Sequence, residues 1–526
     1  MSKPVESFFD EVNADFRFWE KPTSNTVLSP ADIIFQGPLL KLHKGSNAFR
    51  ERFFVLTRDT LYYLKSENES TVVAQMKTQW VRSDFLPIEL EQFKGEKLTC
   101  IRFVRNLRFT DLYCADENVA AEWREHFSRV FIQSDFHTKF STIKSIGKGS
   151  FARVYLVEKK KGGQKFAVKA FSKEYLLSQA KGRDSVMNEI SVMQRLSNKY
   201  VMHLEEVHES KNSIYLVLEL LEGGELLSYI SQKDHVTSKE VHRIMKCIME
   251  ALAYMASRNV MHRDLKPDNM ILKNKSPLDS CVLKLVDFGL ATSTDVPEYL
   301  FKRCGTPGFV APEVINAPTN ENIHYSVKCD VYSAGIIFYI LLSGKSPFDG
   351  KSFADILQKN KAAVIDFTNS KLRSNKNAYA LLEQMLQKDP EKRISAKDAL
   401  THPYFVDEEA SQMIIEKSSD EEPGDLKNFQ DHYNHFKEEM HEKRNEYSII
   451  IRDPVINGRV DSIKESPNSE ARPYSLRSVA TPRKAESSSK NSILKVVLEK
   501  SSKAKLEEAE EYSAKLTELY FESDIE

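Results

Sequence analysis

The stretch His262-Arg263-Asp264-Leu265-Lys266-Pro267-Asp268-Asn269 brings a carboxylate, a cation and a carboxamide together directly after an apolar run of helical character. Pro267 cannot continue a helix, so the segment is expected to be a loop. Phosphoryl transfer needs such parts: Asp264 to accept a hydroxyl proton, Lys266 to steady moving charge and Asn269 to hold a metal ion. A charged surface turn would have the same composition, so the reading depends on partners elsewhere in the chain.

Those partners occur in order. Gly147-Lys148-Gly149-Ser150-Phe151-Ala152-Arg153-Val154 is a glycine-rich turn between strand-like runs at Ile143–Ile146 and Tyr155–Val157. Glycine there lets backbone N–H groups approach phosphates closely, and Ala152, in place of a third glycine, is small enough to weaken the loop little. Lys169 lies in the apolar strand Phe166–Phe171, where an unpaired ammonium is costly. Glu189 is available to it from the helical stretch Asp184–Leu196, whose Val186, Ile190, Met193 and Leu196 keep helical spacing. The strand-like Ile214–Leu218 runs into Glu219–Glu225, read as a flexible joint. Asp287-Phe288-Gly289 and Ala311-Pro312-Glu313 follow the opening stretch.

With these motifs in this order, residues Phe140–Phe405 resemble the eukaryotic protein kinase domain. The resemblance implies ATP and Mg2+ as cofactors and protein substrates as partners. It implies that Lys169 holds the α- and β-phosphates and pairs with Glu189, under a turn running from Gly147 to Ala152. Asn269 and Asp287 would bind Mg2+, Asp264 would orient the substrate hydroxyl and take its proton, and Lys266 would meet the γ-phosphate. Thr306, on the substrate side, would bridge Asp264 and Lys266. Adenine would lie between Val154 and Ala167 above and Ile271 below, with backbone hydrogen bonds at Glu219 and Leu221 and Leu218 as gatekeeper. Glu313 would pair with Arg393, and Asp330 would anchor the catalytic loop.

The insert Lys273–Val282, the run Cys304–Ala311 and Ser346-Pro347-Phe348 resemble the calcium/calmodulin-dependent kinase group. By that resemblance Glu225 and Asp268 face a basic residue upstream of the phosphoacceptor, since opposite charges attract strongly in a partly desolvated groove. Lys266 implies serine or threonine rather than tyrosine. One position departs from the pattern: Lys302 stands where many relatives carry a phosphorylatable threonine, so Arg263 lacks the phosphate that would neutralise it. The kinase is therefore expected to need no phosphate there, or to use Thr292, Ser293, Thr294 or Tyr299 instead.

Ahead of these elements the chain reads as strands. Arg52–Leu56 and Leu61–Leu64, separated by Thr57–Thr60, form a hairpin signal. Leu98–Val104 and Arg108–Cys114 are further strands, and Asn118–Phe131 reads as a helix. Gly37–Lys41, Arg50–Leu56 and Trp123 make residues 37–133 resemble a pleckstrin-homology domain, a small, partly open barrel capped by a C-terminal helix. In that family a lysine ending the first strand and two basic residues in the next bind inositol phosphates. The matching positions are Lys41, Arg50 and Arg52, which makes a phosphoinositide membrane surface an expected partner. A few residues, Gln133–Thr138, link this domain to the next, so the two are expected to touch.

The fold class expected is thus α+β: a bilobal protein kinase fold over 140–405 behind a small β-barrel domain over 37–133. Residues 1–36, mixed aromatics, acids and prolines, are either a docking peptide or a disordered lead. In residues 406–452, Leu426, Phe429, Tyr433, Phe436 and Met440 recur at helical spacing, as an autoinhibitory helix or a plain satellite helix would. Residues 453–492, rich in Ser, Pro and charge, read as disordered, and 493–522 as a last helix. Ser475, with Arg472 three positions before it, is a phosphosite expectation. The tail helix is mixed in charge and no D-x-D-x-D-G calcium loop occurs, so neither calmodulin nor calcium control is supported.

Bulk properties agree. With 526 residues the chain exceeds one core, and its net charge of -1 gives no pull towards nucleic acid. Six scattered cysteines without a C-x-x-C pair point to a reducing compartment rather than to zinc or disulfides. The longest apolar run, Val331–Leu342, is too short to span a bilayer and reads as a buried helix. A cytoplasmic location is expected, with peripheral membrane contact through the first domain. The competing class is a lipid- or protein-binding scaffold whose kinase fold is regulatory; the complete set of Lys169, Glu189, Asp264, Asn269 and Asp287 argues against it.

Overall fold

A computed structural model describes residues 6–11, 16–22, 28–43, 48–69, 71–89, 97–148, 152–233, 236–318, 324–350, 352–407, 425–442 and 452–454. The N-terminal sheet has seven strands: β1 Phe35–His43, β2 Ala48–Leu56, β3 Thr60–Leu64, β4 Ala74–Lys77, β5 Arg82–Glu89, β6 Lys97–Arg105 and β7 Arg108–Cys114. Their order is β4-β3-β2-β1-β7-β6-β5. The expected hairpin is β2–β3, closed where Thr57 N–H meets Thr60 O at 2.9 Å.

The sheet packs against α1, Glu117–Ser128, which starts where Asp116 accepts from the N–H groups of Asn118 and Val119. Trp123 and Phe127 of α1 are fully buried in a core with Phe54, Ile101 and Phe103. The helix stops short of the expected Phe131 because Arg129 N–H turns back to His126 O. Phe131 still reaches the core, from the turn that follows.

The expected barrel is not closed. β4 and β5 stand at opposite edges of the sheet and do not pair among the described residues. The β4 edge is covered from the N-terminal segment, where Glu20 and Gln75 exchange two backbone hydrogen bonds of 3.0 Å. This satisfies main-chain groups that an open edge would leave to other chains.

The linker is stitched to both sides. Ile132 exchanges hydrogen bonds with the β5 side (Ser83 N to Ile132 O, 2.9 Å; Ile132 N to Val81 O, 3.0 Å), and Gln133 N–H then donates to Val207 O at 2.9 Å. Beyond it lies a five-stranded sheet of β8 Phe140–Lys148, β9 Arg153–Lys159, β10 Lys165–Ser172, β11 Leu204–Glu209 and β12 Ser213–Glu219, in the order β11-β12-β10-β9-β8. α2, Gly182–Arg195, packs on this sheet and carries Glu189.

The second lobe is helical. α3, Ser238–Ser257, opens on a capping box between Thr237 and Glu240. α4, Lys328–Ser343, contains the longest apolar run; it is buried on nearly every face and ends at Gly344 with φ +77°. Among the described residues no helix is long and apolar enough to cross a membrane. Glu313 and Arg393 form a two-pronged pair (2.5 and 2.9 Å) with the guanidinium fully buried.

Candidate functional site

The stretch His262–Asn269 follows the two-residue strand β13, Val260–Met261 (paired with β16, Thr292–Ser293), and folds back as a short 3-10 turn, Pro267–Asn269, into β14, Met270–Leu272. β14 pairs with β15, Leu283–Leu285, which delivers Asp287 beside it. Two residues in the site have left-handed backbone, Arg263 at φ +68° and Asp287 at φ +62°. Such strain persists only where the surroundings over-determine it. At Arg263 they do: Asp330, buried on α4, accepts from His262 N–H at 2.7 Å and Arg263 N–H at 2.8 Å.

Asp264 is the hub of a tight cluster. Its Oδ1 accepts from Thr306 Oγ1 at 2.7 Å, and its Oδ2 lies 3.0 Å from Lys266 Nζ and 3.2 Å from Asn269 Nδ2. Lys266 Nζ also donates to Thr306 Oγ1 at 3.0 Å, and Asn269 Nδ2 to Asp264 O at 2.7 Å. Oδ1, with Thr306 as its one donor, keeps a lone pair for a further donor. Across the cleft, Lys169 Nζ lies 2.6 Å from Glu189 Oε1 and 3.2 Å from Asp287 Oδ1. Burial works against the Lys169 charge, but Asp287 and Glu189 outweigh it and hold the pKa above the ordinary lysine value. Lys169 in turn is the main cause holding Asp287 well below the usual carboxylate range, against burial.

Lys169, Glu189 and Asp287 line a cavity of about 580 Å³ together with Gly147, Ala152, Val154, Ala167, Leu218, Glu219, Leu221 and Ile271. A Cβ on Gly147 would lie an ordinary 3.5 Å from Val154 Cβ, so local packing does not demand glycine there. Lys148 ends β8; Gly149, Ser150 and Phe151 lie outside the described residues. The joint after β12 is not loose as expected: a Cβ on Gly223 would come within 2.4 Å of Leu272 Cβ, and Gly223 N–H bonds Leu272 O at 3.0 Å. Lys284, unremarked in the sequence, is buried in β15 and holds the Glu219 carboxylate at 2.5 Å.

The donor set fits a hard cation held partly by phosphates. Asp287 is 53% exposed towards the cavity, and Asn269, its NH2 committed to Asp264, has a side-chain carbonyl oxygen to offer. Mg2+ takes one or two such oxygens together with substrate phosphates.

Arg263 has partners other than a phosphate. Its Nε–H donates to Leu290 O at 2.8 Å, and Nη1 donates to Phe301 O at 2.7 Å and the Tyr325 hydroxyl at 2.9 Å. Lys302 does not simply add like charge, because its Nζ lies 3.8 Å from Glu298. Of the four alternative acceptors, Thr292, Ser293 and Tyr299 are buried, and Thr294 is half-buried with its hydroxyl donating to Asn259 O at 3.4 Å. Treating purified protein with phosphatase is therefore expected to leave activity unchanged; complete loss of activity would refute this.

The expected substrate groove is covered. α5, Asp425–Glu442, lies over Asp268, whose Oδ1 is 2.7 Å from Lys437 Nζ and whose Oδ2 accepts from the Tyr433 hydroxyl. Burial raises the Tyr433 pKa far above the ordinary value, and the Asp268 carboxylate that its hydroxyl bonds pushes it further. Phe436 stacks on Phe353, ring planes 8° apart. Sequence periodicity marked Tyr433 and Phe436 but not Lys437, one turn beyond Tyr433. Further on, β18 Arg452–Pro454 pairs antiparallel with β17 Phe301–Cys304, just ahead of Thr306. Lys41, Arg50 and Arg52 lie on β1 and β2 of the N-terminal sheet; Ser475 lies outside the described residues.

Comparison with known proteins agrees with this geometry. The protein kinase domain family matches residues 140–405, half of the chain, and the chain belongs to that family. It is similar to calcium-dependent protein kinase 4 of Plasmodium falciparum (isolate 3D7), 36% identical over 52% of this chain and 52% of that one. It also resembles calcium-dependent protein kinase 11 of Arabidopsis thaliana (36%; 51% and 53%) and a probable myosin light chain kinase of Dictyostelium discoideum (35%; 52% and 84%). The match thus spans about half the length of the two calcium-dependent kinases.

Proposed function

We propose that the chain is an ATP-dependent protein serine/threonine kinase selective for a basic residue upstream of the phosphoacceptor. The observation that carries this is a pair of neighbouring clusters: Lys169 with Glu189 and Asp287 on the cavity, and Asp264 with Thr306, Lys266 and Asn269 beside it, joined where Val286 N–H donates to Asn269 O at 3.0 Å. Bound Mg2+–ATP would supply the phosphoryl group and neutralise its charge, with Asp287 and Asn269 as the metal's protein ligands. Lys169, kept protonated by its two carboxylates, would fix the phosphate oxygens. Thr306 and Asn269 hold the Asp264 carboxylate still, so it can accept the substrate hydroxyl's hydrogen bond and take its proton. Lys266, tied to the same carboxylate, adds positive charge where negative charge develops. Transfer of labelled phosphate to serine and threonine peptide libraries by residues 1–410 tests the reading, with Arg-containing peptides expected to lead.

The same reading makes α5 an autoinhibitory element. Lys437 and Tyr433 occupy Asp268, the carboxylate assigned to the substrate's basic residue, and β18 lies along the segment that carries Thr306.

For the N-terminal domain we propose peripheral recruitment from the cytoplasm to phosphoinositide surfaces through Lys41, Arg50 and Arg52, on the pleckstrin-like resemblance. Lys41 and Arg50 are directly opposite across β1 and β2, so two cations share one patch. Lys41 Nζ already sits 4.1 Å over the Trp19 ring and 4.3 Å over Tyr63, so phosphate would have to compete with two aromatic faces. Arg52→Glu is expected to reduce co-sedimentation with phosphoinositide vesicles several-fold; unchanged co-sedimentation removes the proposal.

A further inference from the structure

None of the roles above uses the N-terminal residues Ser7–Asp10, yet they are built into the catalytic lobe. Phe9 is fully buried and stacks on Trp80, from the β4–β5 turn, with ring planes 3° apart. Both rings, with Phe8, belong to the same continuous apolar core as Val186 and Ile190 of α2. Ser7 Oγ–H and Phe8 N–H donate to the two carboxylate oxygens of Glu209 on β11, at 2.5 and 2.6 Å.

The link to chemistry runs through Arg183. It is the second residue of α2, and its guanidinium donates to Phe8 O at 2.8 Å and to Asp10 O at 2.7 Å. Asp10 is itself tied to the sheet domain, its Oδ1 accepting from Asn106 N–H at 2.6 Å. The start of α2 is fixed only in part: Gly182 is buried against Leu176 and its N–H donates to Gln179 O at 3.1 Å. Lys181 at its N-cap has φ +62° and makes no side-chain capping bond. A helix start without a cap leaves N–H donors unanchored and frays readily. Six residues beyond Arg183, about 1.7 turns along the helix, Glu189 meets Lys169.

We propose that Ser7–Asp10, backed by Trp80, is a positioning element for phosphoryl transfer: through Arg183 it sets α2 so that Glu189 holds Lys169. Arg183, Phe8 and Phe9 are positioning residues, and transfer depends on how the N-terminal sheet domain is seated. This rests on the kinase reading above.

The test uses full-length Phe9→Ala, Phe9→Leu and Arg183→Gln beside wild type. The measurements are kcat, peptide KM, and hydrogen exchange in α2 and in α3. Phe9→Ala and Arg183→Gln are expected to lower kcat about tenfold with peptide KM little changed. Exchange should quicken across 182–195 while α3 stays protected, and Phe9→Leu should recover most of both. Unchanged kcat and α2 exchange in both variants would overturn the proposal, as would loss of protection in α3 to the same degree as in α2. The exchange measurement needs no turnover. An inactive wild type whose α2 is loosened by these variants would sink the kinase reading and keep the coupling.

Discussion

Replacing Asp287 by Asn is expected to lower kcat by roughly a thousandfold, within the 10²–10⁴ range for losing a charged group that acts on the transition state. Asn is the right probe because the position has left-handed backbone at φ +62°, which Asn tolerates as Asp does, so the chain need not shift. The side chain faces the cavity at 53% exposure, so no core contact is lost and melting temperature should move little. What disappears is the charge. Lys169 keeps only Glu189 at 2.6 Å, and the metal site loses its one carboxylate. Labelled-phosphate transfer by wild type and variant checks this, and equal rates in both would exclude the assignment.

The second large effect is expected from the tail. Residues 1–410, or full-length Lys437→Glu, should show a KM for an Arg-containing peptide lowered by roughly 10- to 100-fold. Burial raises the Asp268 pKa, but the hydrogen bonds from Lys437 and Tyr433 win and hold it below the ordinary aspartate value. A hydrogen bond to a charged group contributes about 1.5–3 kcal/mol, and every 1.4 kcal/mol is tenfold in an equilibrium constant. The effect belongs in KM because tail and peptide would compete for one carboxylate. Steady-state kinetics with basic and neutral peptides decide it: identical KM values for full-length and truncated protein would end the autoinhibitory reading.

The candidate site was legible because the chemistry proposed for it requires particular residue types at narrow spacing. Lys169, Glu189, Asp264, Asn269 and Asp287 could be picked out singly, and the structure sets Lys169, Glu189 and Asp287 on one cavity with the Asp264–Asn269 cluster beside it. Contacts set by packing were not. Nothing in the sequence around Lys437 points to Asp268, 169 positions away, and Arg183 looks like any solvated helix residue until its two carbonyl partners are seen. The strands of the first domain could be read from apolar and aromatic runs. Whether β4 meets β5 could not, because sheet closure depends on twist and on what covers each edge. How Arg263 is held without a phosphate was not legible for a related reason. Its charge was weighed against its sequence neighbours, whereas Leu290 O, Phe301 O and the Tyr325 hydroxyl decide its state.

Those Arg263 contacts bear on time as well as geometry. A segment held in place by a stored phosphate keeps a record of past stimulation until another enzyme erases it. One held by carbonyls and a hydroxyl keeps none. If the tail inhibits as proposed above, the active lifetime would be set by how quickly it finds Asp268 again, a unimolecular event independent of any phosphatase. Such a switch reports the present signal, and it resets as fast as the signal is withdrawn.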